Sequence, residues 1–103
     1  MENYRIIVHE RVYKTIEQIQ DYIASLNTYE AAENYSIKLF VEIKTLANPI
    51  LANAIQCSQW QAAKKLHPQA KRLITKNRKW NIIFHIQGRY VIIDGIIPTS
   101  LMK

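Results

Sequence analysis

The segment 80–98, WNIIFHIQGRYVIIDGIIP, decides the fold class of this chain. In its first half, apolar side chains at every second position indicate a β-strand with a period of two. The pair Gln87-Gly88 is typical of a tight hairpin turn. Residues 89–97 are apolar on both faces, which predicts a central strand, and Pro98 ends that strand because it cannot donate to a ladder.

Two further strands are predicted outside this hairpin. Residues 70–75 have strand character and are followed by a turn at residues 76–78. Residues 4–9 contain three consecutive branched apolar residues, which suits a strand buried on both faces.

The region between the first strand and residue 50 has the period of a helix instead. Apolar side chains recur at steps of four and three from Val12 to Leu26, which predicts an amphipathic helix. A second helix is expected from Asn27, as its cap, to Asn48-Pro49. The connection is so short that the two helices must form an antiparallel hairpin. Residues 50–68 allow one further short helix.

The element order is therefore β-α-α-β-β-β. It predicts an α+β fold in which the helical hairpin covers one face of a curved antiparallel sheet of three to four strands. The 103 residues are expected to form a single domain, residues 1–103.

The charge is divided unevenly along the chain. Residues 1–63 carry five Lys and Arg against seven Asp and Glu, whereas residues 64–103 carry nine against one, Asp94. The net charges are thus −2 and +8. A basic C-terminal part favours a polyanion or an acidic protein as the partner.

Several classes of protein are disfavoured. Cys57 is the only cysteine, so the chain cannot form an intramolecular disulfide, and a single cysteine does not make a metal site. The sequence has neither a run of about eighteen apolar residues nor the layout of a signal peptide. We therefore expect a cytoplasmic protein without a metal, another cofactor or a membrane partner.

The chain resembles the RelE/ParE-type toxins, the toxic halves of bacterial type II toxin–antitoxin pairs. The segments that carry the resemblance are the hairpin residues 16–24, 30–32 and 46–49 and the strand residues 71–74, 80–86 and 91–97. The resemblance implies a cytoplasmic toxin neutralised by a small acidic antitoxin that covers the basic face of the sheet. In this family the ParE branch poisons DNA gyrase, and the RelE branch cleaves messenger RNA on the ribosome without a metal.

Three features of the sequence favour the ParE branch, one likeness to ParE and two differences from RelE. The hairpin segments 22–24 and 30–32 look more like ParE than like RelE. RelE members usually open the penultimate strand with an aromatic residue and an arginine, but Asn81 stands in the place of that arginine here. Their basic C-terminal tail is reduced to Lys103. Gyrase poisoning is thus the favoured activity, with the RelE-type endonuclease and a non-toxic nucleic-acid-binding relic of the same fold as alternatives.

Metal-free RNA cleavage would need proton transfer and a stabilised phosphate. The candidate catalytic residues are His85, Arg72, Arg89 and Tyr90. The candidate residues for binding nucleic acid or another target are Lys71, Arg72, Lys76, Arg78, Lys79 and Arg89.

These cations are expected to form one continuous positive surface. The alternative interpretation of His85 is a half-exposed histidine on a strand that has no functional role. Asp94, if buried, is expected to pair with Arg89 or Arg72, because an unpaired buried charge is costly.

Overall fold

The computed structural model describes residues 2–103. Its strands and helices are β1 Arg5–Val8, α1 Glu10–Leu26, α2 Tyr29–Thr45, α3 Pro49–Ala54, α4 Gln61–Lys64, β2 Lys71–Ile74, β3 Trp80–Gln87 and β4 Tyr90–Pro98, and a short 3-10 turn follows at Thr99–Leu101. The predicted α+β order is confirmed. The region 50–68 holds two short helices where one was expected.

The four strands form one sheet in the order β1-β4-β3-β2. The pairs β2–β3 and β3–β4 are antiparallel, and β4 is central, as predicted. The prediction of a purely antiparallel sheet is wrong for β1, which pairs with β4 in parallel from Arg5 opposite Tyr90 to Val8 opposite Ile93. The chain leaves β1 through the helical hairpin, and a long crossover of this kind can bring two strands together in the same direction.

The helical hairpin covers one face of the sheet, which we call the helix face. Each of its helices has 17 residues and turns one apolar stripe inward. The side chains buried there include Val12 and Ile16 from α1, Leu39 from α2 and Ile82 and Phe84 from β3. Full burial of a side chain of this size contributes about 1.5–3 kcal/mol, so the helix face holds the main core.

The turn between the helices differs from the prediction in one detail. Thr28, not Asn27, is the N-cap of α2, and its Oγ1 accepts a hydrogen bond from the Ala31 N–H at 3.0 Å. Asn27 instead accepts the N–H of Thr28 through its Oδ1, also at 3.0 Å. Asn27 is the C-cap of α1, because its N–H still bonds to the carbonyl of Ile23. The two-residue turn therefore caps α1 with the backbone N–H of Asn27 and α2 with the side chain of Thr28.

The other face of the sheet, which we call the open face, is only partly covered. Its cover consists of residues 60–68, which include α4, and of residues 99–102. Ala63 and Met102 from these segments bury Ile83 of β3. The Ala62 N–H donates to the carbonyl of Lys103 at 2.9 Å, which ties α4 to the end of the chain.

Gly95 permits the close approach of the cover to the sheet. A Cβ atom at this position would stand 2.6 Å from Cδ1 of Leu66, closer than real Cβ atoms approach a neighbour. Leu66 lies in the turn that follows α4. The absence of a side chain at Gly95 is therefore what lets Leu66 pack onto β4.

Candidate functional site

A buried His85–Asp94 pair lies on the open face. His85 Nδ1 and Asp94 Oδ2 are 2.7 Å apart, and each side chain is 9% exposed. The pair depends on an irregularity in β4: Ile83 faces Gly95 while Phe84 faces Ile93, so Asp94 is an extra residue in the ladder. Such a bulge redirects a side chain from the regular alternation.

This geometry corrects two expectations. Asp94 pairs with His85, not with Arg89 or Arg72. His85 is buried on the sheet, so the interpretation as a half-exposed histidine is wrong.

The imidazole of His67 lies flat on that of His85. The ring centroids are 3.5 Å apart and the planes differ by 3°. His67 Nδ1 accepts the N–H of Gln69 at 3.1 Å, which fixes the orientation of its ring. The cover thus shields one face of the His85 ring, while the carboxylate of Asp94 accepts the Nδ1 hydrogen. In that tautomer Nε2 is the nitrogen of His85 able to accept a proton.

Arg72 and Asn81 lie under the cover, at the other end of the open face from the strand hairpin. Arg72 Nη1 donates to Asn81 Oδ1 at 3.5 Å, and its guanidinium carbon stands 5.9 Å from the centre of the Trp60 ring. Asn81 is fully buried and donates to the carbonyl of Ile97 and to Oγ1 of Thr99. Asn81 therefore anchors the end of β4.

Arg89 and Tyr90 lie at the uncovered end of the open face. They border a shallow depression of 740 Å³ together with Arg5, Ile7 and Ile92. Arg89 also donates to Glu2 at 2.9 Å in a solvent-exposed ion pair. The four catalytic candidates consequently occupy three places. Arg72 lies under the cover, Arg89 and Tyr90 lie at the open end, and His85 lies between them.

The predicted continuous positive surface is not formed. Lys76, Arg78 and Lys79 lie in the turn before β3, whereas Arg89 lies in the turn after it. The eight residues of β3 separate these turns by about 25 Å. Lys71 belongs to neither turn. It lies in β2, and its Nζ donates to the carbonyl of Ala52 in α3 at 3.2 Å.

A groove that the sequence did not indicate runs between α2 and the β2–β3 turn. Its volume is 610 Å³, and we call it the lysine groove. Its lining residues are Tyr35, Lys38, Leu39, Val41, Glu42, Lys76, Asn77 and Lys79. Three of these are lysines, and Val41 is 56% exposed. The groove therefore offers an apolar floor and a positive rim.

Hydrogen bonds hold the two walls of the lysine groove together. The hydroxyl of Tyr35 accepts from Asn77 Nδ2 at 2.7 Å and from Trp80 Nε1 at 2.8 Å. Glu42 Oε1 accepts the N–H of Lys76 at 2.7 Å. Because these contacts are 34 to 45 residues apart in sequence, spacing within either element could not reveal them.

Two further properties bear on the class of site. Among residues 2–103, no three His, Cys, Asp or Glu side chains are grouped so that they could hold a metal ion. Within the same residues, no helix is long and apolar enough to cross a membrane.

Comparison with known proteins gives a match in structure but not in sequence. No protein-family model and no curated protein matches the chain. A chain of a solved structure described as the chromosomal ParDE TA system from P. aeruginosa has a TM-score of 0.77 and 16% identity, with 92% of this chain and 95% of that chain covered. At this identity the likeness shows the fold. The chain therefore has a fold found in a ParDE toxin–antitoxin system, in agreement with the resemblance in its sequence.

Proposed function

We propose that this chain is the toxin of a type II toxin–antitoxin pair. The observation that carries the proposal is the fold shared with a chain of a ParDE system over 92% of the residues. Most of the segments that resemble RelE/ParE-type toxins in sequence fall on the helical hairpin and on strands β2, β3 and β4 of this chain. The excess of positive charge in residues 64–103 adds support, because it suits a protein held by an acidic partner.

The antitoxin is proposed to dock in the lysine groove. Lys38, Lys76 and Lys79 surround the exposed side chain of Val41 there. A helix or extended segment with apolar anchors and flanking carboxylates would match this arrangement. Rim charges of this kind mainly speed association and select the partner.

DNA gyrase is the favoured target, and the layout of the open face supports that choice over RNA cleavage. Arg72 donates a hydrogen bond to Asn81 and lies over the ring of Trp60 beneath the cover. Arg89 and Tyr90 lie elsewhere, at the open end of the sheet. A phosphate would need several of these groups at once. The candidate catalytic residues are thus not gathered around one point.

The His85–Asp94 pair nevertheless favours a second candidate, a metal-free endoribonuclease. In this reaction His85 Nε2 would take the proton of a 2′-hydroxyl while the 2′-oxygen attacks phosphorus. The 5′-oxygen would leave with a proton from the Tyr90 hydroxyl, producing a 2′,3′-cyclic phosphate. Asp94 would orient the imidazole and stabilise its charged form.

Induction of the chain alone, and then together with the product of an adjacent small acidic reading frame, tests the proposal. A toxin should arrest growth, and the second protein should relieve the arrest and co-purify with the chain. Plasmid supercoiling and messenger RNA integrity, measured after induction, separate the two activities. Healthy growth at high soluble expression would overturn the proposal that the chain is a toxin. If the chain then still bound nucleic acid with a steep salt dependence, the non-toxic relic would be favoured.

Two variants assign the roles of the lysine groove and of His85. Lys38→Glu/Lys79→Glu should remain toxic and escape the antitoxin, whereas the matched reversal Lys14→Glu/Lys103→Glu, outside the groove, should behave as the native chain. If the chain is an endoribonuclease, His85→Gln should abolish RNA cleavage. If the chain poisons gyrase instead, His85→Gln should leave that activity intact. Relief of Lys38→Glu/Lys79→Glu by the antitoxin would remove the lysine groove from the proposal.

A further inference from the structure

Large apolar side chains are exposed together at the end of the helical hairpin. Leu26 in the last turn of α1 is 70% exposed, and Tyr29 at the start of α2 is 87% exposed. Tyr22, one turn before Leu26, is 65% exposed. The hairpin turn at residues 27–28 brings the two helix ends together, so these side chains form one patch, which we call the hairpin tip.

The hairpin tip is acidic as well as apolar. No lysine or arginine occurs between Lys14 and Lys38. The acidic residues in that interval are Glu17, Asp21, Glu30 and Glu33. This charge repels phosphate backbones, anionic lipids and an acidic antitoxin. The tip is therefore suited to a different partner from that of the basic regions.

Leu26 and Tyr29 lie outside the lysine groove, whereas Tyr22 borders a neighbouring depression that shares Tyr35 and Lys79 with it. Tyr29 lies six residues before Tyr35, the first groove residue on α2, which corresponds to about 9 Å along the helix axis. An antitoxin segment seated in the groove would not have to touch the tip. The chain thus presents two surfaces of opposite charge that can be changed independently.

We infer that the hairpin tip docks a partner protein that has a basic surface around an apolar pocket. Tyrosine gives large contact area at little cost in side-chain freedom, and such residues dominate binding where they enter a pocket. Leu26 would fill the pocket beside Tyr29, and Asp21 and Glu30 would meet cations on its rim. The inference rests on the proposed function, under which this partner is the protein that the toxin attacks.

The test compares growth arrest by the native chain with that by Leu26→Ser/Tyr29→Ala. Both side chains are exposed, so the variant should keep its unfolding temperature. Neither residue lines the lysine groove, so the variant should also co-purify with the antitoxin as before. We expect the inducer concentration that arrests growth to rise at least tenfold. The matched control is Ile50→Ser, which removes a side chain that is 69% exposed on α3 and should change nothing.

A second variant tests the charge of the partner. Asp21→Lys/Glu30→Lys keeps the apolar residues of the tip and reverses the charge around them, so it too should lose toxicity. Unchanged arrest by this variant would overturn the basic character of the partner, and unchanged arrest by Leu26→Ser/Tyr29→Ala would overturn the tip as a docking surface. In both cases the toxin proposal would stand.

Two controls complete the test. If the native chain itself causes no arrest, the proposed function fails, and this inference fails with it. Sedimentation of the native chain and of Leu26→Ser/Tyr29→Ala at equal concentrations should show the same molecular mass. A larger native assembly that the variant dissolves would identify the occupant as a second copy of this chain and overturn the inference.

Discussion

The two faces of the sheet are built in different ways. The helix face lies under two helices of 17 residues, and its core runs from Val12 to Ile96. The open face is covered by one helix of four residues and a C-terminal turn, and the end near Arg89 is not covered. The helix face holds most of the burial that stabilises the fold. The open face holds the polar side chains, so it determines which of them a ligand can reach.

A truncation on the helix face should produce the largest effect. Phe84 is fully buried, and Phe84→Ala should lower the free energy of unfolding by about 3–5 kcal/mol because it removes packing and leaves a cavity. Urea unfolding followed by circular dichroism measures this change. The control Ile37→Ala removes a side chain that is 51% exposed, and its cost should stay below about 0.5 kcal/mol. Equal losses would mean that Phe84 is not in the main core.

The helix face was predictable from the sequence because its residues follow regular periods. The steps of four and three in α1 and the alternation in β3 identify Ile16, Ile19, Ile82 and Phe84 as inward residues, and all four are buried. Leu26, the last residue of the same series in α1, is instead 70% exposed. The parallel pairing of β1 was not predictable in the same way. Periodicity shows which side chains are inside, but it does not show which strand lies alongside or in what direction.

The open face was less predictable because it depends on contacts without a period. The bulge at Asp94 interrupts the alternation and creates the pair with His85. Part of the cover comes from residues 60–68, where the adjacent Ala62 and Ala63 and the nearby Leu66 were the available signal for a short buried segment. The candidate cations could be named from the sequence, but their distribution over both ends of β3 required the structure.

Loss of the carboxylate on the open face should have an intermediate effect. Asp94→Ala should cost about 1–3 kcal/mol, because the buried Nδ1–H of His85 loses its acceptor. Asp94→Asn keeps an acceptor oxygen and should lose less than half as much. The same unfolding measurements apply to both. Equal losses would show that the 2.7 Å hydrogen bond contributes little and that the cost comes from packing.

The smallest effect is expected where the cover meets the sheet. Gly95→Ala places a Cβ atom 2.6 Å from Leu66 Cδ1, and the end of that flexible side chain can move. The free energy of unfolding should therefore fall by about 1 kcal/mol, the lower end of the cost of overpacking. Amide exchange should become faster at residues 61–67, while the amides of α1 stay protected.

A double-variant cycle shows whether Leu66 is the cause. In a Leu66→Ala background the added methyl group meets no side chain, so Gly95→Ala should cost at least about 0.5 kcal/mol less than in the native chain. Gly88→Ala is the matched glycine control. It has no atom within 4 Å of the new Cβ but a φ of +61°, so its cost should come from the backbone and be the same in both backgrounds. Additive effects of Gly95→Ala and Leu66→Ala would mean that the packing of the cover on β4 does not depend on this contact.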